Sequence, residues 1–208
     1  DDGRTRQLSF HSEGARPYGW TADGQALLAV VVRDHDGGRA LERTALLPAA
    51  VRGPEQVLFD NPANEPCLAP DGQRLLFTIE GGDLYRARAT GSQSAQIWLY
   101  DRRDQRFTCL VKRATESRTP LWTPDGKGFY YVSGEGGCMN VRHRDLASGD
   151  ERPITRYAED AVIHPALSRD GRTLVFRRLF DFYRMDPTRP EQPAARIVLR
   201  PGAATLRP

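Results

Sequence analysis

The sequence predicts an all-β protein built from repeated four-stranded antiparallel sheets. Three observations predict this class: a recurring segment that contains an Asp-Gly pair, β-branched and aromatic runs beside each pair, and a composition with 39% hydrophobic and 27% charged residues. Such a composition is close to the average of globular proteins, so it excludes disordered and collagen-like chains. The longest apolar stretch, residues 26–32, is far shorter than the roughly 20 residues that a membrane-spanning helix needs.

Four copies of one segment follow each other along the chain. The third copy reads Pro120-Leu-Trp-Thr-Pro-Asp-Gly-Lys, and its turn glycine is Gly126. The equivalent glycines of the other copies are Gly24, Gly72 and Gly171, so successive copies are 48, 54 and 45 residues apart. This period is typical of propeller blades or of long helical repeats.

Local chemistry favours strands over helices in each copy. An Asp-Gly pair between two apolar runs predicts a β-hairpin. A proline stands six or seven residues before each turn glycine, where it can open a strand but would break a helix. These prolines are Pro17, Pro66, Pro120 and Pro165.

Two further strands are predicted after each hairpin. The third strands cover residues 43–47, 96–100, 140–145 and 180–185. The fourth strands cover residues 56–59, 107–111, 152–155 and 196–199. Four antiparallel strands per repeat make one blade of a β-propeller.

The sequence therefore predicts a single β-propeller domain over residues 1–208. Its blades cover approximately residues 17–60, 65–112, 119–156 and 164–200, and residues 5–10 are predicted as the outer strand of a preceding or closing blade. Propellers contain about 4 to 8 blades, so the four to five blades present here fit either a small closed ring or part of a larger propeller. We favour part of a six-bladed propeller.

The pattern Pro-x-Trp/Leu-Ser/Thr-Pro-Asp-Gly-Lys resembles the blade repeat of TolB-like propellers. Residues 91–101, 107–108 and 140–149 resemble the N-terminal propeller of tricorn-type serine peptidases. Two copies depart from the pattern, because Ala22 and Arg169 replace the proline before Asp-Gly.

The resemblance to tricorn-type peptidases implies a propeller that filters or docks substrates, while the peptidase nucleophile and its base lie on later domains. The function that it implies is a non-catalytic propeller domain that binds, filters or guides peptides, with the catalytic domains of the same parent chain as partners. The alternative is a TolB-like periplasmic module that binds protein partners and has no link to proteolysis.

The residues themselves supply no catalytic or cofactor motif. Residues 91–95 lack the final glycine of the Gly-x-Ser-x-Gly nucleophile elbow, and the glycine-rich loops that bind nucleotide phosphates are missing. The four histidines lie in different repeat units and never in metal-ligand spacing. We expect no catalytic residue, no cofactor and no metal; a propeller hydrolase with its own site in the channel is the least favoured class.

Charge argues against a nucleic-acid partner. The chain has 30 Lys and Arg against 27 Asp and Glu, which gives a net charge of +3. The arginine clusters are interleaved with aspartates, so no basic stripe of one sign is evident. The three cysteines cannot all pair within one chain and are expected to be free thiols. We expect no nucleic acid and no membrane span.

Binding residues are expected at one rim of the central channel, just before the first strand of each blade. The candidates are Arg16, Glu65, Arg118, Thr119, Asp160 and His164. Their mixed charge would suit the termini or charged side chains of a peptide or protein partner.

Two tryptophans, Trp20 and Trp122, occupy the same position of the first strand in two copies. We expect both to pack between adjacent blades, because a ring of sheets needs large side chains at its interfaces. The chain begins without Met, which permits export and processing, so an extracytoplasmic location is favoured over a cytoplasmic one.

Overall fold

A computed structural model describes residues 7–36, 39–50, 53–60, 63–81, 90–91 and 93–199. These residues form sixteen β-strands arranged as four four-stranded sheets. Within the described ranges, no helix is long and apolar enough to cross a membrane.

Each sheet is one blade, and the four blades follow each other along the chain. Blade 1 contains β1 (Ala15–Trp20), β2 (Ala26–Asp36), β3 (Arg39–Pro48) and β4 (Gln56–Phe59). Blade 2 contains β5 (Asn64–Leu68), β6 (Arg74–Ile79), β7 (Gln96–Asp101) and β8 (Arg106–Val111). Blade 3 contains β9 (Ser117–Trp122), β10 (Gly128–Ser133), β11 (Asn140–Asp145) and β12 (Glu151–Pro153). Blade 4 contains β13 (Ile163–Leu167), β14 (Leu174–Arg178), β15 (Asp181–Met185) and β16 (Ala195–Ile197).

The strands of every blade form an antiparallel meander in sequence order. This confirms the predicted all-β propeller fold with its four-stranded repeat. The predicted third and fourth strands are found within a few residues of their expected bounds. One boundary differs because Phe180, predicted in a strand, lies in the β14–β15 hairpin turn with 94% of its surface exposed.

The predicted outer strand over residues 5–10 is not found at Gln7–Phe10, which have no strand structure. Residues 5 and 6 lie outside the described residues, as does residue 200 at the predicted end of the last blade. Whether the four blades belong to a six-bladed propeller stays a prediction.

Alternating side chains of the inner blades hold neighbouring sheets together. Leu75 and Phe77 of β6 pack against Leu28 of blade 1, whereas Leu76, on the other face of the same strand, packs with Phe129 of blade 3. The alternation follows from the two-residue period of a strand. Large side chains are buried on both faces of blade 2, which fixes this blade between its neighbours. Each Å² of apolar surface removed from water stabilises the packing by about 25 cal/mol.

Blade 4 packs on blade 3 in the same way. Val132 and Val141 of blade 3 form one buried cluster with Leu174 and Phe176 of blade 4. The three clusters bring the first strands of neighbouring blades next to one another, so that β1 contacts β5, β5 contacts β9, and β9 contacts β13. The first strands therefore form the inner wall of the propeller.

Candidate functional site

The hairpin after each first strand contains an Asp-Gly turn, and in blades 1, 3 and 4 the turn sequence is Ser/Thr-x-Asp-Gly, whereas blade 2 has Ala69 at the first position. In blade 3 the Thr123 hydroxyl donates to Asp125 Oδ1 at 2.6 Å, and the same carboxylate oxygen accepts the Lys127 N–H at 3.0 Å. Thr123 Oγ1 in turn accepts the Gly128 N–H at 3.0 Å. These contacts close the turn without help from other blades, which explains why the motif predicts the hairpin so well.

The hydroxyl contact also lowers the pKa of Asp125 below its ordinary value, and the Lys127 N–H adds to this effect. The same hydroxyl–carboxylate hydrogen bond, at 2.6 Å, occurs in blade 1 between Thr21 and Asp23. Asp23 and Asp125 are therefore ionised acceptors that are engaged within their own turns.

Adjacent turns interlock at this end of the propeller. Pro124 of the blade 3 turn lies so close to Gly171 of the blade 4 turn that a Cβ added at Gly171 would be 2.6 Å from the proline Cγ. Arg74 of blade 2 donates from Nη2 to the Gly126 carbonyl of blade 3 at 3.1 Å. Blades 4 and 1 are linked differently, because Arg169 Nη2 donates to the Ala22 carbonyl at 2.9 Å.

A cavity of about 660 Å³ opens between these four turns. We call it the turn-side mouth. Its wall comes from the last residues of the four first strands and from the turns that follow them: Trp20, Thr21, Ala22, Cys67, Leu68, Ala69, Pro70, Leu121, Trp122, Thr123, Pro124, Leu167, Ser168 and Arg169. The wall is mainly apolar, and Arg169 is its one charged member. An apolar cavity with few polar groups is the usual form of a ligand site.

The two equivalent tryptophans of this wall have different environments. Trp122 is 6% exposed, and its indole N–H donates to the Cys67 carbonyl of blade 2 at 2.9 Å, while the Arg74 guanidinium stacks over its ring. Trp20 is 57% exposed. The expectation that both pack between blades is correct for Trp122 and wrong for Trp20. The reason is that the Cys67 carbonyl and the Arg74 guanidinium of blade 2 cover Trp122, whereas the described blades leave more than half of Trp20 uncovered.

The Cys67 thiol belongs to the wall of the turn-side mouth. Burial raises the pKa of Cys67 to about 11, so the group stays protonated at neutral pH and is a poor nucleophile. Among the described residues, no three His, Cys, Asp or Glu side chains are grouped as a metal ion would require.

Three of the six predicted rim residues meet at the opposite end of the first strands. The Glu65 carboxylate accepts hydrogen bonds from the Thr119 N–H at 2.8 Å, the Thr78 hydroxyl at 2.9 Å and Arg118 Nε at 3.3 Å. The side chains of Glu65 and Arg118 are 17% and 10% exposed. The carboxylate therefore ties the start of β5 to the start of β9.

A local backbone feature accompanies this contact. Glu65, Thr119 and His164 have φ angles of 52°, 53° and 50°, each stands before a proline, and each lies at a register shift of its first strand. Left-handed conformations of residues other than glycine are strained and occur often at functional sites. Arg16 stands before Pro17 in blade 1 but does not share this conformation.

The other predicted rim residues have separate partners or remain exposed. Arg16 pairs with Glu42 at 2.5 Å. Asp160 Oδ2 lies 3.4 Å from Arg178 Nη2, and the Asp160 carbonyl contacts the Cys138 thiol. His164 is exposed. The residues of the turn-side mouth were not among the candidates from the sequence. The repeat pattern did contain a signal for two of them, because Ala22 and Arg169 stand where the other two copies have proline.

No protein-family model and no curated protein matches this sequence. Solved structures do match it in fold. The chain is similar to TolB from Acinetobacter baumannii, with a TM-score of 0.68 and 19% identity over 90% of this chain and 45% of that one. It is similar to the tricorn protease, with a TM-score of 0.55 and 13% identity over 96% of this chain and 24% of that one.

A third similar structure is that of a prolyl endopeptidase, with a TM-score of 0.60 and 15% identity over 90% of this chain and 28% of that one. Similarity at identities this low shows the fold alone, which is a β-propeller of four-stranded blades. The chain spans less than half of the length of the Acinetobacter TolB.

Proposed function

We propose that this chain is a non-catalytic propeller module that binds a peptide in its central channel, with the turn-side mouth as the site of entry. The observation that carries the proposal is the mainly apolar cavity of about 660 Å³ to which all four blades contribute. A cavity of this volume accommodates a few residues of an extended peptide.

Trp20 is the main apolar contact that the mouth offers to such a peptide. Its large ring is 57% exposed at the cavity wall. Covering an indole ring with a peptide side chain removes apolar surface from both partners, and tryptophan is among the residues that contribute most to binding energy.

The proposal is tested by calorimetric titration with a capped neutral hexapeptide, acetyl-Gly-Leu-Phe-Asn-Gly-Gly-amide. We expect binding by the unaltered chain and about tenfold weaker binding by Trp20→Ala. The matched control is Phe180→Ala, which removes an aromatic side chain that is 94% exposed and lies outside the cavity wall. Unchanged affinity in Trp20→Ala, or equal losses in both variants, would contradict the proposal.

The rim at the opposite end is tested separately with the same peptide. Arg118→Ala and His164→Ala weaken binding if the peptide passes through the channel and contacts that rim. Unchanged affinity in both variants would remove these residues from the site and leave the turn-side mouth as the binding surface.

A second candidate function is docking of a folded protein partner, as in the TolB-like alternative. The observation that favours it is a group of exposed apolar side chains on blade 4, namely Leu179, Phe180, Phe182, Val198 and Leu199. Exposed apolar surface is common at protein interfaces. A variant with Leu179→Ser and Phe180→Ser would lose a protein partner but keep the hexapeptide.

The two functions differ in the further domains that would accompany the propeller. A tricorn-like peptidase would carry catalytic domains beyond this propeller, whereas an interaction module would act without them. For both functions we favour an extracytoplasmic location, which cell fractionation with an antibody against the chain would test.

A further inference from the structure

The two residues that depart from the repeat pattern meet each other across the turn-side mouth. The second and third turns have Pro70 and Pro124 before Asp-Gly, whereas the first and fourth have Ala22 and Arg169. Arg169 Nη2 donates to the Ala22 carbonyl at 2.9 Å, although the two residues are 147 positions apart. The guanidinium therefore lies at the mouth, where this hydrogen bond restrains it.

We propose that Arg169 makes the turn-side mouth selective for apolar peptides that carry a carboxylate, either on an acidic side chain or at a free C-terminus. This inference rests on the proposed peptide-binding function and names the ligand class of the same cavity. Arg169 is the one charged residue of the cavity wall, and the other wall residues are apolar or carry hydroxyl groups.

The hydrogen bond to Ala22 orients the guanidinium but leaves it able to bind a ligand. Arginine has five N–H donors, and the contact with Ala22 engages one nitrogen. A planar guanidinium binds a carboxylate through two parallel hydrogen bonds. Because the carbonyl already restrains the long side chain, less conformational entropy is lost when the carboxylate binds.

The turn aspartates do not cancel this preference. Asp170 follows Arg169, but its Oδ1 atom accepts the Ser168 hydroxyl at 2.6 Å and the Arg172 N–H at 3.0 Å. Asp23 is likewise engaged by the Thr21 hydroxyl and the Gln25 N–H. Neither carboxylate belongs to the cavity wall.

The experiment compares four peptides that differ in one charge. They are the neutral hexapeptide described above, its Asn-to-Asp form, its Asn-to-Lys form, and the neutral sequence with a free C-terminal carboxylate in place of the amide. Capping removes terminal charges, so each remaining difference is due to one group. Affinities are measured by calorimetry at low ionic strength, because salt screens exposed charges.

We expect at least one of the two carboxylate peptides to bind about 5- to 20-fold more tightly than the neutral peptide, and the lysine peptide to bind more weakly. The carboxylate peptide whose affinity increases shows whether the mouth prefers an acidic side chain or a free C-terminus. In Arg169→Gln the gain should disappear, and in Arg169→Lys it should be reduced because the ammonium lacks the planar fork.

The matched control is Arg172→Gln, which removes the same charge three residues away and outside the cavity wall. It should keep the carboxylate preference. Circular dichroism of each variant confirms that it is folded. Equal affinity for all four peptides, or a preference that survives Arg169→Gln, would overturn this inference but keep peptide binding. Absence of binding by every peptide would overturn both proposals.

Discussion

Replacing Gly171 with alanine should destabilise the protein more than the same change at Gly24. Both glycines close an Asp-Gly turn, and their φ angles of 72° and 69° are nearly equal. Alanine therefore meets the same backbone strain at both sites, about 1 to 2 kcal/mol for a left-handed conformation.

The two sites differ in what surrounds the added methyl group. At Gly171 the new Cβ would lie 2.6 Å from Pro124 Cγ and 2.8 Å from its Cδ, whereas at Gly24 it would have no neighbour within 4 Å. The proline ring is rigid, so the two turns must move apart. Overpacking of this kind adds about 1 to 3 kcal/mol, and the expected loss of unfolding free energy is roughly 2 to 5 kcal/mol at Gly171 against 1 to 2 kcal/mol at Gly24.

Urea unfolding followed by tryptophan fluorescence and far-ultraviolet circular dichroism measures the difference. A shift in the midpoint without a change in slope indicates a change in stability. A double-mutant cycle with Pro124→Ala adds a sharper test, because removing the ring should remove the extra cost at Gly171. Equal losses at the two glycines, or no coupling between Gly171 and Pro124, would refute the proposed interlocking of turns.

Three further predictions concern buried contacts and pH. Glu65→Ala should lower the unfolding free energy by about 1 to 3 kcal/mol, because it removes the carboxylate that accepts hydrogen bonds from the Thr119 N–H, the Thr78 hydroxyl and Arg118 Nε. Urea unfolding tests this, and a loss of under about 0.5 kcal/mol would contradict it. Because the folded pKa of Asp125 is lowered, its stabilisation is present above the ordinary value of 3.8 and is lost as pH falls through the folded pKa. Melting temperatures of Asp125→Asn should therefore depend less steeply on acid pH than those of the unaltered chain. Burial lowers the pKa of His143, so the free energy of unfolding should decrease as pH falls below the ordinary value of 6.5. If a His143→Gln variant keeps the same pH dependence of stability between about pH 5 and 7, His143 is not the cause of that dependence.

The repeat was readable from the sequence because each hairpin is closed by local contacts. An aspartate and a glycine in every turn, joined by a hydroxyl in three of the four, supply the hydrogen bonds and the backbone freedom that the turn needs, as Thr123, Asp125 and Gly126 illustrate. The strands on either side follow from their apolar alternation. The predicted strand at residues 5–10 lacked such a turn, and its described part, Gln7–Phe10, forms no strand.

The candidate site was only partly predictable. The rim residues Glu65 and Thr119 were chosen by their place before the first strands, but their direct hydrogen bond joins residues 54 positions apart. The opposite exposure of Trp20 and Trp122 could not be derived from equivalent positions in the repeat. That exposure depends on whether a neighbouring blade covers the strand.

The sequence alone determined the four blades, their strand order and their turns, since these depend on interactions between residues close along the chain. Only the tertiary structure decided that Arg169 reaches the Ala22 carbonyl and that Trp20 is left open at the mouth. Those features arise where separate blades meet. The local signals that specify each blade contain no information about which side chain of another blade will lie opposite.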